Sequence, residues 1–275
     1  MWVMELAVVL AAIVLGTRLG GVAIGYTGGL GVLVLTLVFG LKPGHIPMDV
    51  ILIIMSVIAA IAAMQVAGGL DFMVHIAERI LRRNPRHVTL LAPMVTYIMT
   101  LLAGTGHTAF STLPVIAEVA KEQGIRPSRP LSIAVVASQI AITASPISAA
   151  VVFMSGALEP LGVGYLTLLA ICIPTTFVAC MLTALLCNHL GVELAQDPVY
   201  QDRLAKGLVT LRGETRMQIL PGAKKSVAIF LAAIVAVVLY ATLISDKVGL
   251  IQNPVLPRNE AIMVFMLSAA TLICL

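Results

Sequence analysis

Apolar residues fill this chain in blocks of roughly 15–25 residues, close to the ~20 that a helix needs to cross a bilayer. Short charged or Gly/Pro-rich gaps separate the blocks. Trp2–Thr17 ends at Arg18, Val22–Gly40 runs into a turn at Lys42–Pro47, and Val50–Ala67 closes at Gly68-Gly69. After a polar interlude come Val88–Ala103, Leu131–Leu158, Tyr165–Leu190, Val227–Ile244 and a last block from about Ala261. The pattern predicts an all-α polytopic membrane protein with about seven transmembrane helices. Two further features interrupt it from within: one re-entrant hairpin and one Pro-broken helix.

The broken helix is Leu131–Leu158. It is long enough to span, yet its middle reads Ile142-Thr143-Ala144-Ser145-Pro146-Ile147-Ser148. Proline costs a helix interior about 3 kcal/mol in water, and in hydrocarbon the freed backbone groups also need partners inside the protein. Ser145 before Pro146 reads as an N-cap before N1, so one helix is expected to stop near Thr143 and a second to start at Pro146. Taken alone, the stretch fits either a binding-site break or a simple kink with its hydroxyls bonded to the preceding turn.

The hairpin is Val88–Ala120. Its first arm is short for a full span and reaches Gly104-Thr105-Gly106-His107-Thr108, then Ser111-Thr112, before turning apolar again. Arg82, Arg83 and Arg86 precede it, and Lys121, Arg126 and Arg129 follow. If both basic ends lie on one side, the segment enters and leaves by the same face with its tip at membrane depth. With the hairpin not counted as a crossing, fourteen of the 17 basic residues fall on one side and Lys42, Lys247 and Arg258 on the other. The first side is then cytoplasmic and the N-terminus periplasmic. Five crossings precede the loop at Gly191, so an inverted copy of the first unit is expected to start after it.

Between the third block and the hairpin, Leu70–Asn84 places Phe72, Met73, Ile76 and Ile80 at helical spacing among His75, Glu78, Arg79, Arg82 and Arg83. It reads as an amphipathic helix on the membrane surface or as a snorkelling extension of the third block. Gly191–Lys225 is a solvated loop with a short helix around Val199–Leu211. Gly25 and Gly29 suit close helix approach, and Thr36, Ser56 and Gln65 suit interhelical hydrogen bonds.

Composition narrows the chemistry. The chain is 60% hydrophobic and 11% charged, and its net charge of +4 comes from gap residues that set topology, so no nucleic-acid partner is expected. The four cysteines lie inside apolar blocks without CxxC spacing, the histidines are scattered, and no Walker motif is present. No cofactor, metal site or enzymatic constellation is expected. The first block carries Glu5 and lacks a basic leader, so it is expected to remain as a helix. The candidate substrate-binding residues are Gly104, Thr105, Gly106, His107, Thr108 and Ser111 at the tip, with Thr143, Ser145, Pro146 and Ser148 at the break. The return arm and the helix after Pro146 both present helix N-termini, and two such termini suit a dicarboxylate. His107 reads either as a donor or proton-sensitive group near substrate or as a neutral group closing the tip.

Ala63–Asp71, Leu81–Pro85, Ala103–His107, Leu113–Ile116, Arg126–Pro130 and Ala144–Ser148 together resemble the anaerobic C4-dicarboxylate transporter (Dcu) family, in order and spacing along the whole chain. Leu211–Glu214 resembles the aspartate/fumarate-type branch. The resemblance implies exchange, uptake or efflux of fumarate, succinate, malate and aspartate across the bacterial inner membrane. It is also similar to the wider ion-transporter superfamily, which implies an elevator motion against a homodimeric scaffold in the lipid bilayer. On that basis residues 1–67 are scaffold, 68–87 the interfacial helix and 88–158 the transport half-site. Residues 159–190 are then a long helix, 191–225 the cytoplasmic loop and 226–275 the start of the second repeat. Sodium-coupled relatives carry Ser-Asn-Thr where this chain has Gly-Thr-Gly-His and Ala-Ser-Pro, so a sodium site is not implied. Family members continue beyond residue 275, and the chain is expected to be the N-terminal portion of a longer protein. An ion or oxyanion antiporter and a dicarboxylate-binding sensor or accessory protein are the rival readings.

Overall fold

The computed structural model describes residues 2–42, 44, 48–209, 219–244, 250–251 and 254–275, with the backbone alone for His107. The expectations for Leu211–Glu214, for parts of the turns at Lys42–Pro47 and Asn253-Pro254, and for the His107 side chain lie outside the described residues. Those described form helices and no strands.

Residues 1–47 make one compact unit. It holds α1 (Trp2–Leu19) and α2 (Ala23–Leu37), packed together. The close approach is not at Gly25 and Gly29, around which a Cβ would meet nothing within 4 Å. It is at Gly31, where a Cβ would come 3.1 Å from the Ala12 Cβ, and at Gly16, beside Thr27 and Ile24. Thr36 bonds the carbonyls of Val32 and Leu33 in its own helix, not another helix.

Residues 48–275 make the second unit. In order it holds α3 (Met48–Val66), α4 (Gly69–Arg83), α5 (Val88–Ala103), the one-turn α6 (His107–Phe110) and α7 (Leu113–Glu122). Then follow α8 (Ser128–Ala141), α9 (Ala149–Leu158), α10 (Tyr165–Cys187), α11 (Pro198–Ala205), α12 (Ala223–Leu243) and α13 (Arg258–Cys274). Among the described residues, five stretches are long and apolar enough to cross a membrane: α1, α3, Pro85–Ala103, α10 and α12. The pair Ser128–Ala144 and Ala149–Leu161, bent by 42°, makes a sixth if taken as one span. α2, at 15 residues, and α13, at 17, are shorter. The helix of the long loop is Pro198–Ala205, capped by Asp197, so it starts and stops earlier than the sequence pattern suggests.

Two groups of helices build the core. α13 packs on α3 and α12, and α12 on α4, around Ile53, Met64, Phe230, Ile262 and Met266. α5 packs along α8, with α10 against both. Ser56 bonds Ile53 in its own turn. The interhelical polar links lie elsewhere: Thr96 of α5 donates to the Ala134 carbonyl of α8 at 2.9 Å, and the Tyr97 hydroxyl meets Ile173 O and Thr176 Oγ1 of α10.

Ion pairs fix which ends meet. Glu122, the last residue of α7, lies 2.8 Å from Arg82, just before α5 begins, so the segment Val88–Glu122 leaves and returns at one end. Burial works against the Arg82 charge, but its hydrogen bonds to Glu78 and Glu122 outweigh that and hold its pKa above the usual value. At the same end Arg129, 7% exposed, donates to the carbonyls of Leu190 and Gly191 and to Glu193 at 2.6 Å. α5 and α8 therefore run in parallel from the basic end. Far from it, Glu159 pairs with Arg258 at 3.3 Å, and Arg258 stacks on Tyr165 at 5.2 Å.

Gly68, in the left-handed conformation at φ +79°, separates α4 from α3, so α4 is a helix of its own rather than an extension. Its buried face is Met73, Val74, Ala77 and Leu81, while Ile76 and Ile80 remain exposed. The sequence stripe of Phe72, Met73, Ile76 and Ile80 thus divides between two faces.

Candidate carboxylate-binding site

The tip forms because α5 ends on a glycine. Gly104 adopts φ +70°, and its N–H closes the last turn on Thr100 O at 2.8 Å. Only glycine takes this conformation without strain. A Cβ there would also lie 2.9 Å from Ile147 Cγ1, so the tip sits directly on the break. Gly106 is similarly close to α8, with a Cβ 2.6 Å from Gln139 Nε2. Beyond it α6 makes a single turn. Thr108, 3% exposed, donates to Thr105 O at 3.1 Å, and Thr112 to Ala109 O at 2.7 Å. Ser111 is exposed.

The break is displaced from its expected register. α8 ends at Ala141 and tightens into a 3₁₀ turn, Ile142–Ala144. Ser145 is extended at ψ 129°, as the residue before a proline prefers. The chain then turns, with Ser148 N–H on Ser145 O at 3.2 Å. The helix restarts at Ala149, not Pro146, and its cap is Ser148, whose Oγ accepts from Val151 N at 3.2 Å. Both serines precede good first-turn residues. Pro146 at the second position of the turn favours closing it before the helix begins. The Tyr165 hydroxyl donates to the freed Pro146 carbonyl at 2.6 Å, which satisfies that group inside the protein. Thr143 is exposed and bonded back to Ile140 O.

Ser145 stands apart from its neighbours. It is 0% exposed, and its Oγ has no hydrogen-bond partner among the described residues. The same holds for Thr100 Oγ1, on the last turn of α5. An unpaired buried hydroxyl is costly unless something else satisfies it.

Tip and break open together onto a cavity of about 470 Å³ whose far wall is α3, with Ile54, Ile58, Ile61 and Gln65 facing Gly104, Thr105, Ile147 and Ala149. Ala149 is the first residue of α9, so a helix N-terminus, with free N–H groups and positive partial charge, borders this cavity. The return arm does not reach it in the same way, because α6 intervenes and α7 starts only at Leu113. Thus Gly104 and Thr105 line the cavity, Ser145, Pro146 and Ser148 are buried in the turn carrying Ile147, and Ser111 and Thr143 are exposed. Thr100 and Gln65 were not among the sequence candidates. Gln65 makes no hydrogen bond with another described residue through its side chain.

A family model described as an anaerobic C4-dicarboxylate membrane transporter matches residues 1–275. The chain belongs to this C4-dicarboxylate transporter family. Family membership together with the apolar helices makes it a multi-pass membrane protein. Among its relatives, the C4-dicarboxylate transporter DcuA of Wolinella succinogenes is 73% identical over 275 residues, covering 100% of this chain and 64% of the relative. DcuA of Escherichia coli strain K12 is 58% identical over 273 residues, covering 99% of this chain and 63% of the relative. For DcuA of Helicobacter pylori strain 26695 the identity is 56% over 272 residues, with coverages of 98% and 61%. The chain therefore spans 64%, 63% and 61% of the lengths of these transporters. No solved structure matches it.

Proposed function

We propose that this chain carries a carboxylate-binding half-site of a secondary transporter for fumarate, succinate, malate and aspartate. The observation that carries the reading is the seating of Ile147 on Gly104, which joins tip and break at a cavity bordered by the start of α9. There the α9 N-terminus receives one carboxylate and Thr105 lines the same wall, while the Ser145 hydroxyl, buried in the adjoining turn and bonded to no other described residue, is the donor held for substrate. One N-terminus suits one carboxylate, so a dianion needs a second set of donors. The relatives named as C4-dicarboxylate transporters support the substrate class.

In this reading Val88–Glu122 is a re-entrant hairpin, supported by the meeting of its ends at Arg82 and Glu122. The cytoplasmic face is the one with Arg82, Lys121, Arg126 and Arg129, and its joining to Leu190–Glu193 agrees with the charge asymmetry. The N-terminus is then periplasmic, in a bacterial inner membrane. α4 lies at the cytoplasmic interface. Residues 1–67 act as scaffold of a homodimer, and residues 88–158 move against it as an elevator during exchange.

The test is counterflow in proteoliposomes carrying the purified full-length protein. Labelled succinate is expected to exchange with internal fumarate and aspartate equally well with and without sodium. Exchange that depends on a sodium gradient, or that prefers an inorganic oxyanion, would favour an ion or oxyanion antiporter. Binding of succinate without counterflow would favour a sensor or accessory protein.

A further inference from the structure

α4 carries two apolar faces, and only one of them is used by the fold. Met73, Val74, Ala77 and Leu81 are buried against α12, α5 and their neighbours. The second face runs along Phe72, Ile76 and Ile80, of which Ile76 is 41% exposed and Ile80 39%. At 3.6 residues per turn, Arg83 falls within about 20° of Ile76 and Arg79 within about 60°, so both arginines belong to this outer face. Asp71 and Glu78 lie roughly 140–160° away around the helix.

The four arginines of this segment are not equivalent. Arg82 is bound between Glu78 and Glu122 at 2.8 Å each and belongs to the fold. Arg79, Arg83 and Arg86 are exposed and pair with no described residue. At the other end of the face, Lys224 sits 5.8 Å above the Phe72 ring. The outer face is thus an apolar stripe bounded by cations at both ends and free of acidic side chains.

We propose that this face binds the phosphate headgroups of anionic phospholipids, with Phe72, Ile76 and Ile80 against the acyl chains and Arg79 and Arg83, joined by Arg86 from the turn just beyond the helix, on the phosphates. An amphipathic helix lying in the interface takes this arrangement, and its arginines reach phosphate through flexible stems. Water alone would leave the stripe exposed, and a zwitterionic surface would leave the arginines without counter-charge. The inference rests on the interfacial placement of α4. It does not rest on transport: a protein that holds anionic lipid yet moves no dicarboxylate would leave it standing.

The experiment is native mass spectrometry of the purified full-length protein titrated with phosphatidylglycerol, with phosphatidylcholine of the same acyl length and with inorganic phosphate. Wild type is expected to retain phosphatidylglycerol in preference to phosphatidylcholine and not to retain phosphate. The triple variant Arg79→Gln/Arg83→Gln/Arg86→Gln is expected to lose that preference by on the order of a hundredfold. The matching Arg→Lys triple variant is expected to keep most of it. Equal retention of the two lipids by wild type, or an unchanged preference in the Gln variant, would overturn the proposal.

Discussion

The contact between tip and break can be tested with a single methyl group. In Gly104→Ala the new Cβ meets Ile147 Cγ1 at 2.9 Å and Cδ1 at 3.3 Å, on a backbone held at φ +70°. The left-handed conformation costs an alanine about 1–2 kcal/mol. Overpacking against Ile147 adds about 1–3 kcal/mol, so the total is about 2–5 kcal/mol. Gly124→Ala is the internal control, because Gly124 has φ +69° and a Cβ there meets nothing within 4 Å. It should lose only the conformational part, about 1–2 kcal/mol. The assay is the thermal midpoint of the full-length protein in detergent, together with fumarate uptake per folded molecule. Gly104→Ala is expected to lower both more than Gly124→Ala does. Ile147→Ala removes the two atoms that clash, so in the double variant the Gly104→Ala penalty should shrink to that of the control. If Gly104→Ala and Gly124→Ala behave alike in stability and uptake, or if the two substitutions at 104 and 147 add independently, the tip does not sit on the break.

Two further substitutions probe what holds the proposed half-site. Tyr165→Phe strips the Pro146 carbonyl of its 2.6 Å donor; the loss should cost about 1–3 kcal/mol in chemical denaturation and reduce uptake, and an unchanged denaturation curve would argue against it. Arg129→Gln breaks the bonds to Leu190, Gly191 and Glu193; with Glu193 itself 47% exposed, about 3 kcal/mol of stability should be lost, against less than about 1 kcal/mol for Arg126→Gln, whose pair with Asp197 is 3.5 Å long. Thermal midpoints of the two variants check this order.

The hydrophobic blocks made the helices legible, because a bilayer-spanning segment must be apolar for most of its length and the gaps are charged. The return of Val88–Glu122 to the end it leaves from was legible from charge alone: basic residues at both ends predicted one side, and the Arg82–Glu122 pair joins those ends. The position of the break was legible from Pro146, but its register was not. Ser145 and Ser148 are equally good caps in sequence, and the turn between them decides the matter through backbone geometry that no residue pattern encodes. The division of α4 into buried and exposed stripes was hidden for a similar reason. Both stripes are apolar at helical spacing, and only the presence of α12 on one side distinguishes them. Hydroxyls inside helices misled in the opposite sense: Thr36 and Ser56 bond their own preceding turns, as such residues readily do, while Thr96 and Tyr97 make the links between helices. Thr100 gave no signal at all, since its significance lies in having no partner among the described residues.

The central claim is that Ser145 contacts substrate, and Ser145→Ala tests it most directly. A buried hydroxyl with no partner among the described residues contributes nothing to the empty fold, so its removal should leave the thermal midpoint unchanged or raise it. A hydrogen bond to a carboxylate is worth about 1.5–3 kcal/mol, which corresponds to roughly a ten- to hundredfold loss of affinity. Succinate binding measured by calorimetry on the full-length protein should therefore weaken by that factor in a variant that is at least as stable as wild type. Wild-type affinity in the Ser145→Ala protein would contradict the account.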